Sequence, residues 1–218
     1  MIVSVFTKKG GTGRTSIAYN IAKDLGWYLL SNDNSIIEEQ YDKAKIVSEF
    51  SLVNPDIDCV YDFGGFINKS SMHILEKSDL IIVPTTLDAN SVKRAVNTIT
   101  EISANCGDIV IVINRIKSTT IKKYTGYIGA LKGFGRKIFQ LRESEIMINT
   151  IHNSETINSL FNKNKLNKRI YKSIHTEYNL ILDEIKRTKI VTQFNLDLTT
   201  VLDAKKLKSL SLKKLTKS

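Results

Sequence analysis

Apolar residues along this 218-residue chain keep two rhythms, short near-continuous runs and stretches in which they return every three or four positions. The opening pair is the clearest. Ile2, Val3, Val5 and Phe6 form a β-branched and aromatic run, and Ile17, Ala18, Ile21, Ala22 and Leu25 follow at helical spacing before Gly26 closes the helix. Further runs at 28–31, 58–62, 79–84, 108–113 and 137–141 predict strands, and helical spacing recurs over 91–102, 154–161 and 168–187. The runs at 79–84 and 108–113 are apolar almost throughout, as in strands buried on both faces of a parallel sheet. Strands alternating with helices predict one doubly wound α/β domain over residues 1–190, its mostly parallel sheet flanked by helices. Residues 191–218 are expected to form a basic, flexible tail. Two prolines, no internal repeat and no long Ser/Gly tract leave no linker to a second domain.

Between the first strand and the first helix stands Lys9-Gly10-Gly11-Thr12-Gly13-Arg14-Thr15-Ser16. Glycines lacking Cβ let backbone N–H groups turn inward around a polyphosphate, and the helix aims its positive end at the same place. Thr15 is then placed to put its hydroxyl on a magnesium ion. Residues 58–62 end in Asp62 ahead of Phe63-Gly64-Gly65, a carboxylate at a strand end followed by a pliable segment suited to sensing a γ-phosphate.

The octet departs from the ordinary Walker A pattern, because position 8 is Lys where Gly is wanted. With Lys9 before the glycine pair, it resembles the deviant Walker A box of the ParA/MinD ATPases, which include plasmid and chromosome partition proteins. The resemblance covers residues 1 to about 188. It implies a P-loop fold, ATP and Mg2+ as cofactors, a homodimer formed on nucleotide binding, and Lys9 reaching the partner's nucleotide. It further implies that loop residues 9–16 hold the phosphates, that Asp62 with Thr15 serves the metal, and that Asn114 and Arg115 lie against the adenine. ParA proteins bind DNA without sequence preference and answer to a centromere-binding partner, so cytoplasmic, nucleoid-associated DNA partition is the expected role.

Two positions depart from the family. Arg14 stands where lysine is expected, and its planar fork is no substitute for a compact ammonium. The segment Asn32-Asp33-Asn34 replaces an Asp-x-Asp pattern; either both aspartates are amides or a one-residue slip makes Asp33 the catalytic carboxylate. Lys9, Arg14, Asp33 and Asp62 are the candidate catalytic set, and both departures point to slow turnover. A nucleotide-dependent scaffold that does not hydrolyse is therefore one alternative.

The formal charge of +10 is lopsided. Residues 1–114 carry 10 basic and 14 acidic side chains, whereas 115–142 carry 8 basic and none acidic. Such an excess suits a polyanion, chiefly DNA phosphates, with Lys122, Lys123, Lys132, Arg136, Lys137, Lys168, Arg169 and Lys172 as candidate contacts. The last fifteen residues hold six lysines and four leucines. A MinD-like membrane-associated positioning ATPase is the other alternative, but those leucines share no narrow helical stripe and no Trp or Phe anchors them, so a membrane is the less favoured partner. Apolar runs of strand length and the absence of a secretory pattern predict a cytosolic chain. Cys59 and Cys106 read as ordinary reduced thiols, Cys59 being poorly placed to ligate a cluster.

Overall fold

A computed structural model describes residues 1–50, 57–64, 69–104, 106–117 and 124–215, with the side chains of 198 and 200–215 outside the description. The described residues form a seven-stranded, all-parallel sheet: β1 (Ile2–Val5), β2 (Tyr28–Ser31), β3 (Ala44–Ile46), β4 (Cys59–Asp62), β5 (Leu80–Thr85), β6 (Asp108–Ile116) and β7 (Lys137–Arg142). In space the order is β3-β2-β4-β1-β5-β6-β7. The doubly wound expectation is met, with one addition. β3 is only three residues long and half-buried, too short for any run of alternation to announce it, and it makes 59–62 the fourth strand in chain order.

Strand side chains alternate between two cores. Val3, Val5, Ile82, Val110 and Val112 face α1 (Arg14–Leu25), α6 (Ile146–His152), α7 (Ile157–Asn162) and α9 (Lys172–Leu215). Ile2, Phe6, Ile81, Val83, Ile109 and Ile111 face α3 (Lys69–Lys77), α4 (Ala89–Ile102) and α5 (Thr125–Lys132). Between them in sequence lie two short helices, α2 (Ile37–Gln40) and α8 (Lys165–Ile170). With both faces covered, central strands must be apolar throughout, which is why 80–85 and 109–113 read as unbroken runs.

Helix ends follow local chemistry. Asp88 caps α4 by accepting from the Ser91 amide at 2.9 Å, and Thr156 and Ser159 form a capping box at α7. Gly26, left-handed at φ 69°, ends α1 and donates to the Ala22 and Lys23 carbonyls. The N-terminus of α1, like those of α2, α5 and α6, has no side-chain cap. Gly13 occupies the cap position and offers no side chain, so the first-turn amides of Arg14, Thr15 and Ser16 lack a partner within the helix.

α9 is 44 residues long, about 66 Å at 1.5 Å per residue. Ile174, Tyr178, Ile181, Leu182, Ile185 and Thr188 are buried, whereas Ile190, Val191, Phe194 and Leu196 are exposed. The helix thus runs through position 190, where the sequence reading placed the start of a tail. Among the described residues no helix is long and apolar enough to cross a membrane.

One buried amide joins three helices. Asn20, fully buried in α1, donates to the Ser16 carbonyl at 2.8 Å and the Thr150 hydroxyl of α6 at 3.0 Å, and accepts from the Ile157 amide of α7 at 2.8 Å. Replacing Asn20 with alanine orphans the Ile157 N–H and should cost about 2–4 kcal/mol, seen as a lower urea midpoint at unchanged slope. Asn162→Ala, which loses a surface bond to the Asn158 carbonyl, should move the midpoint by no more than about 0.5 kcal/mol equivalent. Equal midpoints for the two variants would remove Asn20 as a joint.

Candidate functional site

The carboxyl ends of all seven strands share one edge of the sheet, and the central strand β1 is flanked there by β4 and β5. The connection after β1 runs through α1 on one face of the sheet and that after the neighbouring β4 through α3 on the other, the kind of place where open α/β sheets hold ligands. The loop from Phe6 to Gly13 crosses it. Gly13 sits at φ 88°, and a Cβ there would come within 2.3 Å of the Asn114 Nδ2, so conformation and space both require glycine.

Arg14 opens α1 but its guanidinium turns back beneath the surface, 7% exposed. Nη1 donates to the Thr7 carbonyl at 3.0 Å and the Phe63 carbonyl at 2.6 Å, beyond the ends of β1 and β4. Nη2 lies 3.5 Å from the Asp33 carboxylate, beyond the end of β2. One side chain thereby ties three adjacent strand ends.

Asp62 ends β4 fully buried. Its Oδ2 accepts from the Ser31 hydroxyl at 3.0 Å, while Oδ1 has no hydrogen-bond partner. Burial pushes its carboxyl above the usual range, against the opposing pull of the Thr15 and Ser31 hydroxyls and the Arg14 charge; Asp33 adds to the rise. Ser31 also accepts from the Asp33 amide at 3.1 Å, so one hydroxyl orders both carboxylates. Sequence reasoning passed over Ser31, because a serine ending a strand carries no signal beyond a turn.

Asn32 and Asp33 part company here. Asn32 Oδ1 accepts from the Gly64 amide and holds the segment after β4, Asp33 faces Arg14, and Asn34 is exposed. Asn114, at 3% exposure, donates through Nδ2 to the Thr12 carbonyl at 2.9 Å and accepts from the Arg115 amide. Its amide braces the loop as well as standing beside it. Arg115 is left-handed at φ 56°, a conformation that costs a non-glycine residue. Beyond Gly13 and Ser16 opens a cavity of about 590 Å3 walled by Asn114, Arg115, Ser144 and Met147.

Lys9 is half-exposed, and its charge helps hold Asp88 low. Burial alone would raise Asp88, but bonds from Ser91 and Thr86 and the Lys9 charge outweigh it. A metal would fit this edge. Asp62 offers a buried, unmatched oxygen and Thr15 an adjacent hydroxyl, the sparse protein ligation that magnesium accepts. Elsewhere, burial pushes the Cys59 thiol up to about 12, an inert core group, and among the described residues no cluster of three His, Cys, Asp or Glu side chains forms a metal cage.

The expected DNA contacts scatter differently. Lys132 is exposed in the last turn of α5, Lys168 and Arg169 in that of α8, and Lys172 at the start of α9; Arg136 is half-buried before β7. Lys137 bonds both Glu184 oxygens at 2.8 and 2.7 Å and is spoken for within the chain. Lys122 and Lys123 lie outside the described residues.

The fold is that of ParA/MinD-type P-loop proteins. A McdA–ATP complex from Cyanothece superposes with a TM-score of 0.58 at 13% identity, over 85% of this chain and 96% of that one. A plasmid partition protein from Borrelia burgdorferi bound to AMPPNP, so described as putative by its solvers, matches at 0.58 and 16% identity, over 85% and 98%. MinD from Aquifex aeolicus matches at 0.52 and 16%, over 83% and 96%. No family model and no curated protein sequence matches the chain.

A buried carboxylate held above its ordinary pKa costs stability where it is charged and nothing where it is protonated. Asp62→Asn should therefore melt roughly 2–4 °C above the parent at pH 8, the gain shrinking as pH falls through the carboxylate range. Melting curves at pH 8 and pH 4 decide it; a variant less stable at pH 8 would show that attraction to Arg14 outweighs burial.

Proposed function

We propose that this chain is a nucleotide switch of the ParA type. ATP with magnesium binds in loop 9–16, two loaded copies pair, and the pair binds DNA without sequence preference in plasmid or chromosome partition. The observation that carries the nucleotide part is the meeting of an uncapped helix end with an unmatched, buried Asp62 oxygen where the connections after neighbouring strands pass to opposite faces of the sheet. The nucleotides held by the proteins it resembles, ATP and AMPPNP, support the same reading.

In this reading the amides of Gly10 to Ser16 take the phosphates, and the Asn114 brace keeps the loop open around them. The base enters the cavity beyond Gly13, against Asn114 and Arg115. Thr15 and Asp62 hold the magnesium ion, which supplies charge neutralisation of the terminal phosphates when bound. Lys9, half-exposed beside Asp88, reaches a second copy's nucleotide. Exposed Lys132, Lys168, Arg169 and Lys172, with Arg136, offer phosphate contacts, and a centromere-binding partner resets the cycle at the nucleoid. Catalysis rests on positioning and charge rather than covalent steps.

Anchoring of Arg14 on backbone carbonyls favours a second reading, in which turnover is slow enough for the loaded dimer to serve as a scaffold. ATP hydrolysis by the parent and by Arg14→Lys separates the two. Release of at least tenfold more phosphate by the lysine form supports the scaffold, and fast turnover in the parent removes it.

Light scattering tests the switch itself. AMPPNP with magnesium should raise the mass from 24.6 kDa to twice that value, ADP should not, and Lys9→Ala should bind AMPPNP yet stay monomeric. A parent that remains monomeric with both nucleotides sinks the proposal.

A further inference from the structure

Resting on the nucleotide reading above, we propose that Asp33 is an internal stand-in for a terminal phosphate: it occupies the outer edge of the Arg14 guanidinium until a third phosphate displaces it, and so sets the preference of the site between nucleoside triphosphates and diphosphates.

The guanidinium has two edges in unlike states. Nη1 is fixed from below by the Thr7 and Phe63 carbonyls, at 3.0 and 2.6 Å. Nη2 faces outward to Asp33 Oδ2 at 3.5 Å, well beyond the roughly 2.7–2.9 Å of a tight charge-assisted bond. The Arg14 side chain is 8% exposed and that of Asp33 45%, so the anion lies at the mouth of the site and the cation beneath it. An anion arriving from solvent meets Asp33 first and can take its place without unseating the two carbonyls.

Asp33 does not arrive there by chance rotation of a surface side chain. Its amide donates to the Ser31 hydroxyl, which is itself bound to Asp62, so the end of β2 presents the carboxylate toward Arg14. Asn32, its neighbour, is engaged with Gly64, and Asn34 points into solvent, leaving Asp33 as the residue of this turn that meets the cation. An arginine is required for the exchange. Its rigid fork can keep one edge on carbonyls while the other changes partner, whereas an ammonium offers a single compact charge.

Titration calorimetry with magnesium AMPPNP and magnesium ADP tests the exchange on the full-length parent, Asp33→Asn, Arg14→Lys and the double variant, with Asp33→Ser as a second form lacking the charge. Loss of the Asp33 charge should tighten AMPPNP about three- to tenfold, as for a partly exposed ion pair, and ADP less than twofold. In the Arg14→Lys background the gain should fall below twofold. Equal tightening of both nucleotides, weaker AMPPNP binding, or an undiminished gain in the Arg14→Lys background would each overturn the role of Asp33. Normal binding of both nucleotides with no response to either Asp33 variant overturns this inference alone; absence of binding by every form overturns the nucleotide reading with it.

Discussion

A cation buried among strand ends must find acceptors there, and the way Arg14 finds them governs the geometry of the whole carboxyl edge. Its guanidinium reaches the Thr7 carbonyl after β1, the Phe63 carbonyl after β4 and the Asp33 carboxylate after β2. β1 and β4 are already in register, Val5 opposite Asp62, so the guanidinium continues the ladder with side-chain bonds where the backbone pairing ends. Leaving a buried carbonyl without its donor costs about 1–3 kcal/mol, which fixes the side chain more firmly than its surface pair with Asp33 does. The loop, the turn after β2 and the segment after β4 therefore form one mechanical unit.

That unit contains a deliberate weakness. Asp62 is buried with one oxygen unmatched, and burial opposes its charge more strongly than Ser31, Thr15 and Arg14 favour it. A protein selected only for stability has no use for such a group. Set beside an uncapped helix and a left-handed Gly13, it is the feature on which the proposal of a nucleotide site at this edge rests. Elsewhere the molecule is tied by ordinary contacts: α4 and α7 are capped by Asp88 and Thr156, and α1 is joined to α6 and α7 through Asn20.

The basic second half is less exposed to partners than its composition suggests. Lys137 with Glu184, Arg142 with Glu177 and Lys163 with Glu155 spend charge within the chain, two of them fastening β7 to α9. Among the described residues, Lys132, Lys168, Arg169 and Lys172 stay exposed at helix ends on α5, α8 and the start of α9, and Arg115 at the end of β6. Charge counted along a sequence overstates the charge offered to a polyanion, because acidic residues on α9 return in space to basic ones 47 and 35 positions earlier.

The sequence by itself determined the layering and the chemistry of the edge. Near-continuous apolar runs at 79–84 and 108–113 read as strands covered on both faces, and a glycine-rich octet between strand and helix reads as a phosphate loop; the first follows from periodicity and the second from the missing Cβ. β3 escaped notice because three residues, none of them fully buried, carry no period. Tertiary structure alone decided what each polar group does. That Arg14 reaches the Thr7 and Phe63 carbonyls, that Asp33 faces Arg14 while Asn32 holds Gly64, and that Asn114 braces Thr12 across 102 positions depend on which strand ends become neighbours. That adjacency is set by sheet order, a property of long-range pairing that no local stretch of residues contains.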